Sequence, residues 1–154
     1  GNFPAAFTKT QLAIDYEPPR GGEVFISVND GDKRNITAIA RSVARLGFSL
    51  VATTGTARAL RASGIECEEV GKIHAGSHTI LDRIASGEIV LMINTPFGSS
   101  TNTDGYEMRA ACVRHGVSYC TTLAGAQALI AGMEAVRETG LDVIALQDLP
   151  QWEG

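Results

Sequence analysis

The residues best suited to chemistry in this chain are hydroxyls and amides gathered around glycine, with two lysines near them. Thr53-Thr54-Gly55-Thr56 lies between an apolar run, Phe48 to Ala52, and an alanine-rich stretch that opens at Ala57. A strand that passes through such a turn into a helix presents unpaired backbone N–H groups and the positive end of the helix dipole, and both attract anions. The threonine hydroxyls add donors, and Gly55 lets the backbone approach a ligand closely. The spacing is neither the G-x-x-x-x-G-K-[ST] of a P-loop nor the G-x-G-x-x-G of a dinucleotide fold. Two readings therefore stand side by side: a phosphate cradle, and an ordinary capped turn with threonine as N-cap.

The elements that must position these groups follow from periodicity. Val24 to Val28 reads as a buried strand, and Asn29-Asp30-Gly31-Asp32 supplies turn and N-cap chemistry. Ile36, Ile39, Ala40, Val43 and Leu46 then recur at helical spacing, with Gly47 at the C′ position. Phe48 to Thr53 is a second strand, Ala57 to Ala62 a second helix, and Ile65 to Val70 a weaker edge strand carrying Glu66, Glu68 and Glu69. Ile80, Leu81 and Ile84 mark a helix that ends near Gly87, and Ile89 to Ile93 is the strongest strand. Asn94 to Thr103 reads as a mobile polar loop, followed by a helix from about Asp104 to His115 and a fifth strand, Val117 to Cys120. A last long helix runs from Leu123 to about Glu138, and Leu141 to Leu146 adds an extended segment. Strands alternating with helices predict an α/β fold: a three-layer, Rossmann-like domain with a mostly parallel sheet of about five strands.

In such sheets ligands bind beyond the carboxyl ends of the strands, where the strand order reverses. Here those ends are Asn29 to Lys33, Thr53 to Thr56, Asn94-Thr95 and Thr121-Thr122, all polar and rich in donors. Their convergence supports the anion reading more than any one of them does. The spacing places Lys33 in the first turn of a helix, where its charge opposes the dipole unless an anion sits beside it. Lys72, opening the irregular Gly71 to Ser77, reads either as a second cation for the same cleft or as plain surface. Asn94 and Thr95 can read a ribose or base edge, or cap the next turn.

Machinery for transforming a ligand is sparse. Asp82 and Asp104 are acids without an evident partner, and no serine or cysteine accompanies a recognisable base. His74 and His78 are four apart, but Gly76 interrupts them and no carboxylate completes a metal site, so none is expected. His115, before Gly116, suits a helix C-terminus, and Trp152 reads as packing for the tail or a domain contact. Cys67, Cys112 and Cys120 are odd in number and lack C-x-x-C spacing, as expected of thiols in a reducing compartment, so the expected address is cytoplasmic. The 154 residues make about one domain, and a net charge of -4 argues against a nucleic-acid groove. No apolar run reaches the length of a membrane span. The pattern describes a binding module.

Five ordered motifs carry a resemblance: Ser27-Val28-Asn29-Asp30-Gly31-Asp32-Lys33, Ala52 to Ala57, Val70-Gly71-Lys72-Ile73-His74-Ala75-Gly76, Ile93-Asn94-Thr95 and Tyr119-Cys120-Thr121-Thr122-Leu123. Together they resemble the methylglyoxal-synthase-like superfamily over roughly residues 22–150, and within it the carboxyl-terminal allosteric domain of the carbamoyl-phosphate synthase large chain. The resemblance implies a domain at 23–150 and a short tail at 151–154. Residues 1–22 would be the tail of a preceding synthetase domain and a linker, with Phe7 to Leu12 resembling the end of that domain. It implies a regulatory domain that is not itself an enzyme, in a glutamine-hydrolysing ligase of arginine and pyrimidine biosynthesis. ATP and magnesium or manganese would serve the parent, and this domain would need no cofactor. The implied partners are nucleotide monophosphates (UMP and IMP), ornithine, the rest of the large chain and a glutaminase small subunit. Carried over by motif, Lys33, Thr53, Gly55, Thr56 and Lys72 would meet the effector phosphate, and Ser27, Asn94 and Thr95 its ribose or base. Asp104, Tyr119 and Thr121 would belong to the ornithine site and interdomain contact.

Two departures bear on affinity. Pro96 stands where family members carry a further threonine, and Ser99 and Ser100 replace basic residues that often follow. The competing function is a methylglyoxal synthase-type lyase acting on dihydroxyacetone phosphate. That enzyme resembles this chain in fold but needs an aspartate in a Gly-Gly-Asp motif, where this chain has Ala75-Gly76-Ser77-His78. The Lys-Thr-Leu-His-Pro signature of IMP cyclohydrolase is also absent from the sequence.

Overall fold

The computed structural model describes residues 19–71, 79–96 and 103–139. By internal contacts the chain divides into two compact units, Arg20–Ala126 and the remainder. In the first unit the strands are β1 (Glu23–Ser27), β2 (Ser49–Thr53), β3 (Glu68–Val70), β4 (Ile89–Asn94) and β5 (Ser118–Cys120). The helices are α1 (Ile36–Arg45), α2 (Thr54–Ala62), α3 (Ile80–Ala85), α4 (Thr103–His115) and α5 (Leu123–Thr139), the last continuing into the second unit. There its Ile130 and Met133 are buried.

The strands form one sheet in the order β3-β2-β1-β4-β5, and every pairing is parallel. The order reverses between β1 and β4, which makes that junction the topological switch point. Pleating sends alternate side chains to opposite faces. Phe25, Val51 and Met92 point to the face covered by Ile80 and Ile84 of α3 and Met108, Ala111 and Cys112 of α4. Val24, Ile26, Leu50, Ala52, Leu91 and Ile93 alternate with them and are equally buried. On that side α1 and α2 pack on each other and on β2. The expected three layers are present, with the sheet in the middle. Each fully buried Ile, Leu or Phe contributes roughly 1.5–3 kcal/mol relative to exposure, so both faces are needed to hold the sheet.

Local chemistry sets the helix limits. Ile36, Ile39, Ala40 and Val43 form the buried stripe of α1. Gly47, at φ +96, closes that helix in a conformation an L side chain rarely adopts. The N-terminus of α3 carries a capping box, with the Thr79 hydroxyl accepting from Asp82 N–H and the Asp82 carboxylate accepting from Thr79 N–H. Asp82, a plausible acid by sequence, is thus a structural cap.

Two expectations change. The hydroxyl-rich segment is not a loop before a helix that starts at Ala57. Strand β2 ends at Thr53 and α2 begins at Thr54, so Thr54, Gly55 and Thr56 are the helix's own first turn. Lys33 does not sit in the first turn of a helix either. It closes a short 3-10 turn, Asp30–Asp32, and α1 starts only at Ile36. Its charge therefore lies at the carbonyl end of a turn, and no dipole opposes it. The edge character of β3 and the fifth strand stand as expected, while Phe7 to Leu12 and the segment Leu141 to Leu146 lie outside the described residues.

An ion-pair cluster ties the amino end of the sheet. The Arg83 guanidinium on α3 meets Glu23 of β1 at 2.8 Å and grips Glu68 of β3 with both terminal nitrogens. Glu23 Oε2 and Arg83 Nε are buried without a partner. Burial pushes the Glu23 carboxyl up more than Arg83 pulls it down, whereas the hydrogen bond from Arg83 holds Glu68 below the usual carboxylate range. The signs oppose each other. A raised carboxyl favours the folded state below its unfolded pKa and loses that as pH rises through the folded value; a lowered one favours it above its unfolded pKa and loses that as pH falls. At pH 7, Glu23→Gln should therefore leave the melting temperature unchanged or higher. Glu68→Gln should lower it by up to about 3 °C, the effect being small because Glu68 is half exposed. Thermal melts at pH 7 and pH 3 test this: the Glu68→Gln deficit should shrink as pH falls, and a larger deficit for Glu23→Gln than for Glu68→Gln at pH 7 would refute the assignment.

Candidate functional site

Four strand ends meet on one side of the sheet. In the β1–β4 register Ser27 lies opposite Asn94, and the next step of the β1–β2 register brings Ser27 beside Thr53. The Thr53 hydroxyl donates to Ser27 Oγ at 3.0 Å. Thr53 is the N-cap of α2, but its side chain makes no capping bond; its hydroxyl is directed at Ser27 instead. The first turn of α2 therefore keeps backbone N–H groups that no side-chain cap from Thr53 satisfies.

The hydroxyls differ in what they have left to offer. Thr56 is buried, and its Oγ1 accepts from Val28 N–H at 3.1 Å. Thr95 is buried too, and its Oγ1 accepts from Asn29 N–H at 2.9 Å. Both tie the chain just beyond β1 to its neighbours on either side. Ser27 is likewise buried. The half-buried Thr53 and the exposed Gly55 line the open side.

Lys33 reaches this place from the other direction. A Cβ built on Gly55 would lie 3.1 Å from Lys33 Nζ and 3.3 Å from its Cε, so the ammonium rests against the glycine backbone. Nζ also pairs with the carboxylate of Asp30, whose side chain is almost fully exposed. Lys33, Thr53, Thr54, Gly55, Thr56, Val70 and Gly71 line a cleft of about 340 Å³. Lys72 follows the last of these residues but lies outside the described ones, as do His74, His78, Ser99, Ser100 and Trp152.

Asn29 is the residue that sequence reading undervalued. Its Oδ1 accepts from Asp32 N–H at 3.0 Å, its Nδ2 donates to Pro96 O at 2.9 Å, and its N–H goes to Thr95. The signal was visible as an asparagine before Asp-Gly-Asp, but its long-range partners were not. Pro96 lacks a hydroxyl and an N–H, yet its carbonyl takes part in this tie.

At the β5 side, Asn94 Nδ2 donates to the Tyr119 hydroxyl at 2.8 Å, and that hydroxyl donates to Gly105 O in the first turn of α4 at 3.4 Å. Burial raises the Tyr119 hydroxyl above its ordinary pKa against the opposing pull of Asn94, so it stays protonated at neutral pH. Thr121 is exposed at the end of β5, and the Asp104 side chain lies outside the described residues.

A larger cavity, about 1120 Å³, opens at the amino ends of β2 and β3, where Arg41, Arg45, Arg61 and Cys67 line it. Its arginines already serve Ser63 O, the Ser42 hydroxyl, and Glu69 with Cys67 O. Topology favours the smaller cleft, because parallel sheets direct helix amino ends to the carboxyl side. No group of three or more His, Cys, Asp or Glu among the described residues is placed to hold a metal. The buried Cys112 thiol is pushed up to about 11 by desolvation, and burial also raises the half-buried Cys67 and Cys120, so none of the three is primed as a thiolate. No described helix is long and apolar enough to cross a membrane.

Comparison with known proteins agrees with this architecture. The model of the MGS-like domain matches residues 35–121. The chain is 49% identical over 148 residues to the carbamoyl phosphate synthase large chain, C-terminal section, of Methanopyrus kandleri, covering 96% of this chain and 27% of that protein. It is 41% identical over 147 residues to the carbamoyl phosphate synthase large chain of Myxococcus xanthus, covering 96% of this chain and 14% of that one. The chain thus spans only a small part of the curated relatives it matches. Among solved structures, methylglyoxal synthase from Elizabethkingia anophelis shares the fold at a TM-score of 0.56 and 18% identity, covering 73% of this chain and 79% of that one. ForH does so at 0.58 and 20%, covering 78% and 82%. With more than half its length matched by that model, the chain belongs to the MGS-like domain family.

Proposed function

We propose that this chain is the regulatory domain of a carbamoyl-phosphate synthase large chain, binding a nucleoside monophosphate at the carboxyl ends of its strands. The observation that carries the reading is the Lys33 ammonium resting against Gly55 in the first turn of α2. A cation, a helix amino end and a glycine without a side chain meet in one cleft, which is what a phosphate monoester requires. Two strand spacings, about 9–10 Å, separate β2 from β4, comparable to the reach of a nucleoside monophosphate from phosphate to base. Thr53 and Gly55 would then sit at the phosphate and Asn94 at the base or ribose. Ser27, Thr56 and Thr95 would hold the frame from beneath, and Lys72 would complete the phosphate side.

The relatives' names support a carbamoyl-phosphate synthase large chain as the setting; that parent would be a cytoplasmic glutamine-hydrolysing ligase of arginine and pyrimidine biosynthesis. In it the domain would regulate without catalysing. ATP and magnesium or manganese would serve the synthetase domains, and a glutaminase small subunit would supply ammonia. Ornithine would bind where Tyr119, Thr121 and Asp104 meet the rest of the large chain.

Titration of the chain with UMP and IMP, read by calorimetry or thermal shift, tests the reading. Binding should raise the melting temperature as RT ln(1 + [L]/Kd) requires. Lys33→Ala should weaken it by roughly 10- to 100-fold, the worth of one charge-assisted hydrogen bond. No shift at millimolar nucleotide, or an unchanged affinity in Lys33→Ala, would refute it. Gly55→Ala separates ligand from fold: alanine suits a helix better by about 0.5–1 kcal/mol, but its Cβ would crowd the Lys33 ammonium. The variant should melt no lower than the parent and yet bind nucleotide less well, whereas equal binding would remove Gly55 from the site. Incubation with dihydroxyacetone phosphate should yield no methylglyoxal; turnover abolished by Lys33→Ala would instead establish the lyase.

A further inference from the structure

Charge is spread unevenly along this chain. The 33 residues from Lys33 to Ile65 carry six basic side chains and no acidic one, while the other 121 hold seven basic against seventeen acidic. That basic run folds into α1, β2 and α2. The buried stripe of α1 is Ile36, Ile39, Ala40 and Val43, and that of α2 is Thr56, Ala57 and Leu60. Arg41 and Arg45 of α1, and Arg58 and Arg61 of α2, are exposed, each pair about one turn apart. Arg41 Nη2 donates to Ser63 O, just past α2, at 2.9 Å, and Arg45 Nη2 donates to the Ser42 hydroxyl at 3.0 Å. Both keep Nη1 and Nε for an outside group. Of the four arginines only Arg61 meets a carboxylate among the described residues, that of Glu69 at 3.2 Å. The more buried Arg83 has two. The helix dipole accounts for an arginine near a carboxyl end, but Arg58 stands in the middle of α2, and neither helix has an acid to balance it.

We propose that the outer face of α1 and α2, centred on Arg41, Arg45 and Arg58, is a docking surface for a carboxylate-rich protein segment. The guanidinium fork matches a carboxylate with two parallel N–H···O bonds, and an acidic segment supplies the counter-charge that the face lacks. The cavity of about 1120 Å³, lined by Arg41, Arg45 and Arg61 together with Phe48 and Ile65, gives such a segment a concave seat. Other occupants fit less well. The exposed large apolar side chains among the described residues, Tyr106 and Val113, are both on α4, so this face has no anchor for a membrane. It offers no exposed aromatic ring on which bases could stack, and a chain of net charge -4 repels a long polyanion. None of these arginines lines the Lys33 cleft, so the surface is independent of the nucleotide reading.

Heteronuclear NMR on the whole chain, with poly-L-glutamate as the probe, maps the contact, and calorimetry at low salt reads its affinity. Shifts should concentrate on α1 and α2, and binding should weaken as NaCl is added. One exposed ion pair is worth less than about fivefold in affinity, so reversing three arginines together, in Arg41→Glu/Arg45→Glu/Arg58→Glu, should cost at least roughly tenfold. Arg109→Glu/Arg114→Glu, which reverses exposed arginines on α4 instead, should keep most of the affinity. If the triple variant does not melt cooperatively, Arg58→Glu alone decides, and it should lower affinity by roughly two- to fivefold. No contact of poly-L-glutamate with α1 and α2, or an equal loss in the α4 variant, would overturn the inference. Tighter binding of poly-uridylate or of phosphatidylserine vesicles by the same face would assign it to a nucleic acid or a membrane and overturn it too. Salt-sensitive self-association that the triple variant loses would make the occupant a second copy, with the same consequence.

Discussion

The site depends on how the chain leaves a parallel strand. Once β1 ends at Ser27 the ladder no longer serves the backbone, and a buried N–H left unmade costs about 1–3 kcal/mol. Here the next two N–H groups go sideways. Val28 finds the Thr56 hydroxyl of α2, and Asn29 finds the Thr95 hydroxyl beyond β4, while Thr95 N–H returns to Ser27 O. These bonds pin the start of α2 and the end of β4 to one point beyond β1. The position of Gly55 beneath Lys33, and of Asn94 beside Ser27, follows from them. A hydroxyl that looks like a ligand donor in sequence is thus already in use as a joint.

Charge is arranged differently at the two ends of the sheet. At the amino end Arg83 is shared between Glu23 and Glu68, so a largely buried cation is matched by carboxylates. That arrangement suits a joint between α3, β1 and β3, and it leaves little field for a ligand. At the carboxyl end Lys33 stands beside the first turn of a helix, and its carboxylate partner is on the surface. A chain of net charge -4 can therefore still offer an anion a favourable place, since local groups outweigh the total at short range.

Periodicity made most of the fold legible. The stripe Ile36, Ile39, Ala40, Val43 could only be a helix with one buried face, and the β-branched runs at β1 and β4 could only be central strands. The boundary of α2 differs from the expected one because threonine and glycine read as turn formers, whereas the bond from Val28 N–H to Thr56 Oγ1 fixes that threonine in the helix's first turn. Asn29 to Asp32 read as turn and cap of a helix that takes in Lys33; Asn29 does cap, but a 3-10 turn of three residues. Pairings of long sequence separation, such as Asn29 with Thr95 and Pro96 or Asn94 with Tyr119, have no local signal at all. They decide which polar groups stay available, so the site was legible as a set of residues and not as a division of labour among them.

That division bears on how tightly the cleft can hold an anion. Lys33 already has Asp30 as a partner, and a phosphate entering the cleft competes with it. The Asp30 side chain is 94% exposed, so the pair is screened by water and salt and is worth about 0–1 kcal/mol. Displacing it costs a ligand less than tenfold in affinity, whereas a buried pair of the Arg83 kind would cost far more. In the proposed site the acid would hold the ammonium in place without an anion and would give way to one. Such a site would respond reversibly to concentration, as the proposed sensing role requires. Pro96 fits the same picture: it has no hydroxyl or N–H to offer a ligand, and its carbonyl joins the frame through Asn29.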